Sequence, residues 1–306
     1  MTRPLRRRLV ATAAVCVALG AGCAGSGDGQ SQVDEPIDQE IGEERVEMNP
    51  VRIEYGDHAD AFGEMWLPAS TPGSAGAPVV VLVHGGFWRD GFFLDLMDPL
   101  IPSLLERGFV VWNIEYRRVG AGGGYPATFD DVAAAIDQLA SLPESVSPSV
   151  DLDRVAVVGH SAGGQLAAWA AGRSSLPSGE AGADPAVSPV VAVSQAGVLD
   201  LVGCAQEGIG GTACVDLLGV GPSDEPGRYA VTSPREMVPF DATVVAVHGE
   251  LDRIVPPSQS ISFVDRAAGS GMDATYVPIA DADHFSNLDP RHPAWIAVLA
   301  ALDEHL

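Results

Sequence analysis

Gly159-His160-Ser161-Ala162-Gly163-Gly164 is the stretch whose reading decides the fold. It sets a serine in the pattern G-x-S-x-G. The apolar run Val155-Ala156-Val157-Val158 comes directly before it, and the helix-prone segment Gln165 to Ala171 follows. Strand, tight turn and helix form the context that a nucleophilic serine needs. The turn strains the serine backbone and lifts Oγ above the sheet edge. Gly159 and Gly163 leave room for the chain to pass closely. The helix N-terminus beyond offers unpaired N–H groups and partial positive charge to an oxyanion.

A serine hydroxyl is a poor nucleophile at neutral pH. A histidine must take its proton, and a carboxylate must fix that histidine's tautomer. Three histidines lie near the C-terminal end: His284, His292 and His305. His305 sits at the terminus, and His292 precedes Pro293 as a capping or surface residue. His284 follows the apolar run ending at Ile279, on a strand-end loop, and is the expected base. The preceding strand leads into Val247-His248-Gly249-Glu250-Leu251-Asp252, where Asp252 is the expected acid. Glu250 is its rival. Asp283 adjoins His284, but neighbours in an extended loop tend to face opposite ways.

A tetrahedral intermediate needs hydrogen-bond donors. One is expected at the N–H of Ala162. The others are expected in His84-Gly85-Gly86-Phe87-Trp88, where Gly86 and Phe87 present bare backbone amides. The His84 imidazole is read as holding this loop by hydrogen bonds rather than as catalytic. Phe87, Trp88, Phe92 and Phe93 could wall a pocket, although Phe92 and Phe93 could equally cover the helix that follows. Tyr125, in the loop Gly120 to Tyr125, could shape the same pocket.

Around these motifs, strands alternate with helices. Val51–Tyr55 and Ala61–Leu67 read as an antiparallel pair. Pro78–Val83, Val110–Ile114, Val155–Val158, Val190–Ser194, Thr243–Val247 and Ala274–Ile279 read as further strands. Helices are expected at Leu96–Glu106, Phe129–Leu142, Ser258–Ala268 and Pro293–His305. About 45 residues before Thr243 lack periodicity, the usual place for a lid. Alternation of this kind implies a mostly parallel central sheet flanked by helices, with function at the C-terminal strand ends.

The 306-residue chain divides into a leader, a tether and one domain. Residues 1–22 carry Arg3, Arg6, Arg7 and Arg8 before the apolar Leu9–Ala18, the pattern of an export signal. Leu19-Gly20-Ala21-Gly22-Cys23 resembles a bacterial lipobox, in which Cys23 takes the lipid; Gly20 stands where a large aliphatic residue is usual. The protein is therefore expected to be lipid-anchored on the outer face of the membrane, or secreted if Cys23 is not lipidated. Residues 23–48 read as a disordered acidic tether, and 49–306 as the catalytic domain. Net charge is −24, and removing the leader's four arginines takes it to −28. The chain has no lysine. Such a surface repels nucleic acid and anionic headgroups, so no nucleic-acid partner is expected and the membrane is met only through the anchor. In an exported protein, Cys204 and Cys214 suggest a disulfide, a free pair being the alternative. No nearby histidine completes a metal-ligand set. No metal or organic cofactor is implied.

Taken together, His84-Gly85-Gly86-Phe87-Trp88, Glu115-Tyr116-Arg117-Arg118, Gly159 to Gly164 and the Asp252 and His284 loops resemble the α/β-hydrolase superfamily over about residues 50–306. They are similar to its esterase/lipase branch, near hormone-sensitive-lipase-like enzymes, kynurenine formamidases, feruloyl-esterase-like proteins and prolyl-oligopeptidase catalytic domains. Phe87, where many lipases have glycine, is closer to the formamidase and feruloyl-esterase pattern. The resemblance implies an α/β-hydrolase fold, the chain order Ser161, Asp252, His284, and structural arginines at 117 and 118. It implies a small-molecule ester substrate cleaved through an acyl-enzyme on Ser161. Amide cleavage, by a formamidase or a peptidase, and a catalytically silent binding module are the alternatives.

Overall fold

The apolar runs become the centre of an eight-stranded sheet in a computed structural model, which describes residues 49–69, 76–143, 146 and 150–306. The expected leader, lipid site at Cys23 and tether lie outside the described residues.

The strands are β1 (Val51–Glu54), β2 (Phe62–Trp66), β3 (Ala77–Val83), β4 (Val110–Ile114), β5 (Val150–His160), β6 (Val191–Gln195), β7 (Thr243–Gly249) and β8 (Ala274–Ile279). Their order across the sheet is β1-β2-β4-β3-β5-β6-β7-β8. β1, β2 and β4 pair antiparallel. Every pair from β4 to β8 is parallel. The chain steps from β3 outward to β4, then returns to lay β5 on the other side of β3. That reversal opens a crevice at the C-terminal ends of β3 and β5, where open parallel sheets bind ligands. The His84 loop leaves β3 there, and Ser161 leaves β5.

The helices are α1 (Ile101–Leu105), α2 (Ala127–Asp137), α3 (Ala162–Ala171), α4 (Leu201–Glu207), α5 (Ala213–Leu218), α6 (Pro226–Thr232), α7 (Pro234–Met237), α8 (Ser258–Ser270) and α9 (Pro293–His305). Successive strand side chains point to opposite faces, so each buried strand feeds two cores. Val80, Leu82, Val158 and Val193 pack with Leu104 of α1 and Trp295 and Val298 of α9. Val79, Val81, Val157 and Ala246 pack with Phe129 of α2, Leu166 and Trp169 of α3, and Phe263 of α8.

Two expected helices differ at their ends. Leu94–Leu100 is a 3-10 turn that passes into the short α1. Pro99 and Pro102 supply no amide hydrogen, which limits regular α-helical bonding there. The helix expected from Phe129 begins at Ala127 and gives way to a 3-10 turn at Gln138–Ser141. The aperiodic stretch before β7 folds into the four short helices α4 to α7.

The turn from β5 into α3 is closely packed. A methyl at Gly163 would fall on the carbonyl oxygens of Val83 and His84, and one at Gly159 would fall on the Gly163 carbonyl. Gly163→Ala is therefore expected to cost about 1–3 kcal/mol through overpacking, a loss of about 2–4 °C per kcal/mol in a thermal melt. Gly269, inside α8, faces open space. Gly269→Ala is expected to hold or raise the melting temperature, because alanine loses less backbone entropy in a helix.

Candidate active site

Ser161 has φ 55° and ψ −117°, a conformation that costs of order 1–3 kcal/mol and persists only where its surroundings impose it. Its N–H donates to the Gln195 carbonyl at 2.8 Å, tying the turn to the end of β6. This backbone turns Oγ toward the loop after β8. There the Nε2 of His284 lies 3.0 Å from Ser161 Oγ. On the ring's other side, Nδ1 lies 2.7 Å from Asp252 Oδ2. A carboxylate can only accept, so Nδ1 carries the hydrogen. Nε2 is left to accept from the Ser161 hydroxyl. All three expected residues therefore stand in one hydrogen-bonded line, and all are buried.

The rivals fall away on geometry. Glu250 is exposed. Asp283 turns outward and accepts from the amides of Phe285 and Ser286 at 3.1 and 3.0 Å. His292 caps α9, its Nδ1 accepting from the Ala294 amide at 3.1 Å.

Asp252 is held from every side. Its Oδ1 accepts from the amides of Ile254 and Val255, each at 2.9 Å. His248 Nε2 lies 3.2 Å from Oδ2, the oxygen that His284 also uses. Burial acts to raise the Asp252 carboxyl. Hydrogen bonds from His248, His284 and Val255 outweigh it and hold the group below the usual carboxylate range. The His248 ring is fixed in turn. Nε2 is 2.9 Å from the Val255 carbonyl, and Nδ1 is 2.7 Å from Ser260 Oγ. No motif in the sequence marks His248. The signal that could have found it is its place at a strand end, four residues before the acid.

His160, beside the nucleophile, is likewise given no role by the serine motif. Its Nε2 donates to the His284 carbonyl at 2.9 Å, and its Nδ1 is buried with no partner. Burial first, then the nearby His284, lowers its pKa to about 3. The ring is thus a neutral brace for the loop that bears His284.

His84 holds the loop as expected. Nδ1 is 2.8 Å from the Gly85 carbonyl and Nε2 is 2.9 Å from Glu115 Oε1. The ring stacks on Tyr116, whose hydroxyl donates to the His84 carbonyl at 2.8 Å. Glu115 also accepts from Arg118 and from the Leu94 amide at 3.0 Å. Arg117 forks onto Asp131 at 2.7 and 2.8 Å. Both arginines are structural. Phe87 and Trp88 have φ 54° and 55°, two adjacent side-chain-bearing residues in the left-handed region. The N–H groups of Gly86, Phe87 and Ala162 donate to no protein acceptor among the described residues.

A cavity of about 100 Å³ opens beside Ser161 and His284, lined by Gly86, Phe87, Phe92, Leu96, Ile254 and Phe285. Trp88 and Tyr125, expected in this wall, do not line it. The backbone at Trp88 turns the indole inward, where Nε1 donates to Gln165 Oε1 at 3.0 Å. Tyr125 is drawn off by Glu180, to which its hydroxyl donates at 3.1 Å, and packs edge-on against Phe129. Phe93 lies under Arg118 and borders an open cleft of about 440 Å³ on the far side of Phe92. Cys204 and Cys214 are joined as a disulfide. Among the described residues, no group of three or more His, Cys, Asp or Glu residues is placed to hold a metal ion.

A strained serine on a strand-to-helix turn, followed in chain order by its acid and base on neighbouring strand ends, defines the α/β-hydrolase class. Residues 64–266 match the BD-FAE family model, and the chain belongs to that family. Esterase LipC of Mycobacterium tuberculosis is 27% identical over 257 residues, spanning 78% of this chain and 60% of LipC. Esterase LipQ of the same organism is 29% identical over 232 residues, 74% of this chain and 54% of LipQ. The chain thus spans little more than half the length of these relatives. A truncated carbohydrate esterase from gut microbiota superposes with a TM-score of 0.71 at 21% identity, covering 84% of this chain and 95% of that one. Esterase Est2 of Thermogutta terrifontis gives 0.66 at 22%, covering 84% and 91%. At these identities the structural matches establish the fold.

The buried neutral His160 makes stability pH-dependent. Its pKa is about 3 in the folded chain and about 6.5 in an unfolded one. Between those values the unfolded state binds the extra proton, so stability falls as pH drops through that window, by up to about 1.4 kcal/mol per pH unit. Denaturation of His160→Gln between pH 7 and pH 4 is expected to show a shallower acid loss than wild type. His248→Asn is expected to lower kcat about tenfold while leaving the far-UV spectrum unchanged, since Asp252 then holds His284 with one restraint fewer.

Proposed function

We propose that this protein is a serine carboxylesterase for esters of short acyl chains. The carrying observation is the Ser161–His284–Asp252 line opening onto an apolar cavity of only about 100 Å³, where drug-sized ligands need about 300–1,000 Å³. The names of LipC and LipQ support ester chemistry. Est2, which shares the fold, has been solved with butyrate and with propionate bound, acids of the size this cavity suits.

In this reading His284 Nε2 takes the Ser161 proton as Oγ attacks the ester carbonyl. The oxyanion turns toward the N–H groups of Ala162, Phe87 and Gly86. Asp252 stabilises the imidazolium without taking its proton. His284 then protonates the leaving alkoxide, and the alcohol departs across the exposed rings of Phe92 and Phe285 toward the larger cleft. Water, deprotonated by His284, attacks the acyl-enzyme; the Ser161 oxygen takes the proton back and the carboxylic acid leaves. We also propose that the protein is exported and held at the outer face through lipid on Cys23. The basic and apolar leader, the lipobox-like Leu19–Cys23 and the disulfide support this.

A fluorophosphonate is expected to label wild type at Ser161 and to leave Ser161→Ala unlabelled. With p-nitrophenyl esters, kcat/KM is expected to fall at least tenfold from acetate or butyrate to decanoate. Faster turnover of N-formylkynurenine than of any ester would replace the esterase reading with an amidase one. Cys23→Ala is expected to move activity from the membrane fraction to the medium.

A further inference from the structure

We infer that the segment closed by the Cys204–Cys214 disulfide positions the oxyanion-binding amide of Phe87, so that a cross-link outside the triad loops governs the chemical step. What Phe87 does rests on the esterase reading above; what holds it rests on geometry.

Phe87 and Trp88 lie consecutively in the left-handed region. L-residues stay there only where several contacts over-determine the backbone. Trp88 supplies one set. Its indole is buried on Gln165, and its carbonyl accepts from the Val119 amide at 2.7 Å. The other set comes from the disulfide segment, on both sides of Trp88. Gly210 backs the Phe87 ring so closely that any Cβ at 210 would collide with the ring edge. Beyond Trp88, Arg89 donates to Thr212 Oγ1 at 3.3 Å and to Asp216 Oδ2 at 3.1 Å. The Thr212 hydroxyl donates to the same Asp216 oxygen at 2.7 Å. That ion pair is substantially exposed and weak on its own, so the ring contact at Gly210 carries most of the restraint.

Ile209, Ala213 and Leu217 anchor the segment in the core, and the turn around Gly210 between these anchors is its loosest part. Gly208, Gly210 and Gly211 have φ of 69°, 67° and 74°. The flanking helices α4 and α5 have seven and six residues, too short to be stable alone. The disulfide joins the middle of α4 to the first turn of α5, with both cysteines buried. By closing the loop it removes the extended states that three glycines would otherwise allow. Without it Gly210 can withdraw. Phe87 loses its backing, its backbone relaxes toward ordinary φ, and its N–H swings off the oxyanion. Substrate binding changes little, because the hole acts on charge that develops only in the transition state.

The test compares wild type with Cys204→Ala/Cys214→Ala and with Gly210→Val, which keeps the disulfide but pushes on the ring. The measurements are kcat and KM for p-nitrophenyl acetate, amide exchange at Arg89, Asp90 and Val119 and in the triad loops, and the melting temperature. Expected in both variants is a 10- to 100-fold fall in kcat with KM within about twofold. Exchange should be faster at Arg89, Asp90 and Val119, whose amides bond to Gly86, Val119 and Trp88 and brace this turn, but not in the 249–255 or 280–287 loops. Should the double variant fail to fold, Gly210→Val decides. Unchanged kcat and unchanged exchange at Arg89, Asp90 and Val119 would overturn the inference, as would loosening spread equally over all three loops. If wild type cleaves no ester, the functional proposal falls, while the exchange comparison still decides what holds Phe87.

Discussion

The close approach of α3 to the end of β3, at Gly163, is the constraint on which the rest of the site depends. With no side chain at 163, the helix N-terminus can sit on the carbonyl oxygens of Val83 and His84. That contact brings the turn carrying Ser161 against the loop carrying Gly86 and Phe87. Two segments about 75 residues apart in the chain thereby become one surface. The strained serine backbone is a consequence: the chain must reverse within two residues to enter a helix already committed to that position. A bulkier residue at 163 would separate the nucleophile from its neighbouring amides before it disturbed any triad side chain.

Electrostatics on the acid side follow a different logic. Asp252 is buried, which by itself favours the neutral carboxyl. Two amides and two imidazoles reverse that preference. The carboxylate is thus anionic because the fold surrounds it with donors rather than because water reaches it. A charge kept in this way is oriented as well as retained, and it leaves one tautomer open to His284. On the opposite side of the line, His160 is neutral for the complementary reason: its second nitrogen has nowhere to place a proton.

Much of this was legible in the chain. Continuous apolar runs announce strands buried on both faces, and the serine motif between a strand and a helix marks the turn. The order of serine, acid and base follows from which strand each loop leaves, and periodicity locates the strands. What local pattern does not carry is the direction in which a loop side chain points. Trp88 reads as a pocket aromatic until its backbone conformation turns the indole onto Gln165. Tyr125 is diverted by Glu180, 55 residues away. His160 acts on the carbonyl of a distant loop, so no local spacing marks it, and His248 is marked only by standing at a strand end four residues before the acid. The helix ends at 94–100 and 138–141 shift because proline and tight turns trade α for 3-10 bonding within a residue or two.

β8 is the last strand of the sheet, paired on one side only and only partly buried, yet the loop that follows it bears the base. Two side chains from more central strands reach across to that loop. His160, ending β5, donates to the carbonyl of His284, and Gln195, ending β6, donates to the carbonyl of Asn287 at 3.1 Å. The imidazole is therefore moored to the same strand that carries the hydroxyl it serves. For a displacement of the border strand to widen the gap a proton must cross, it must first stretch the bond from His160.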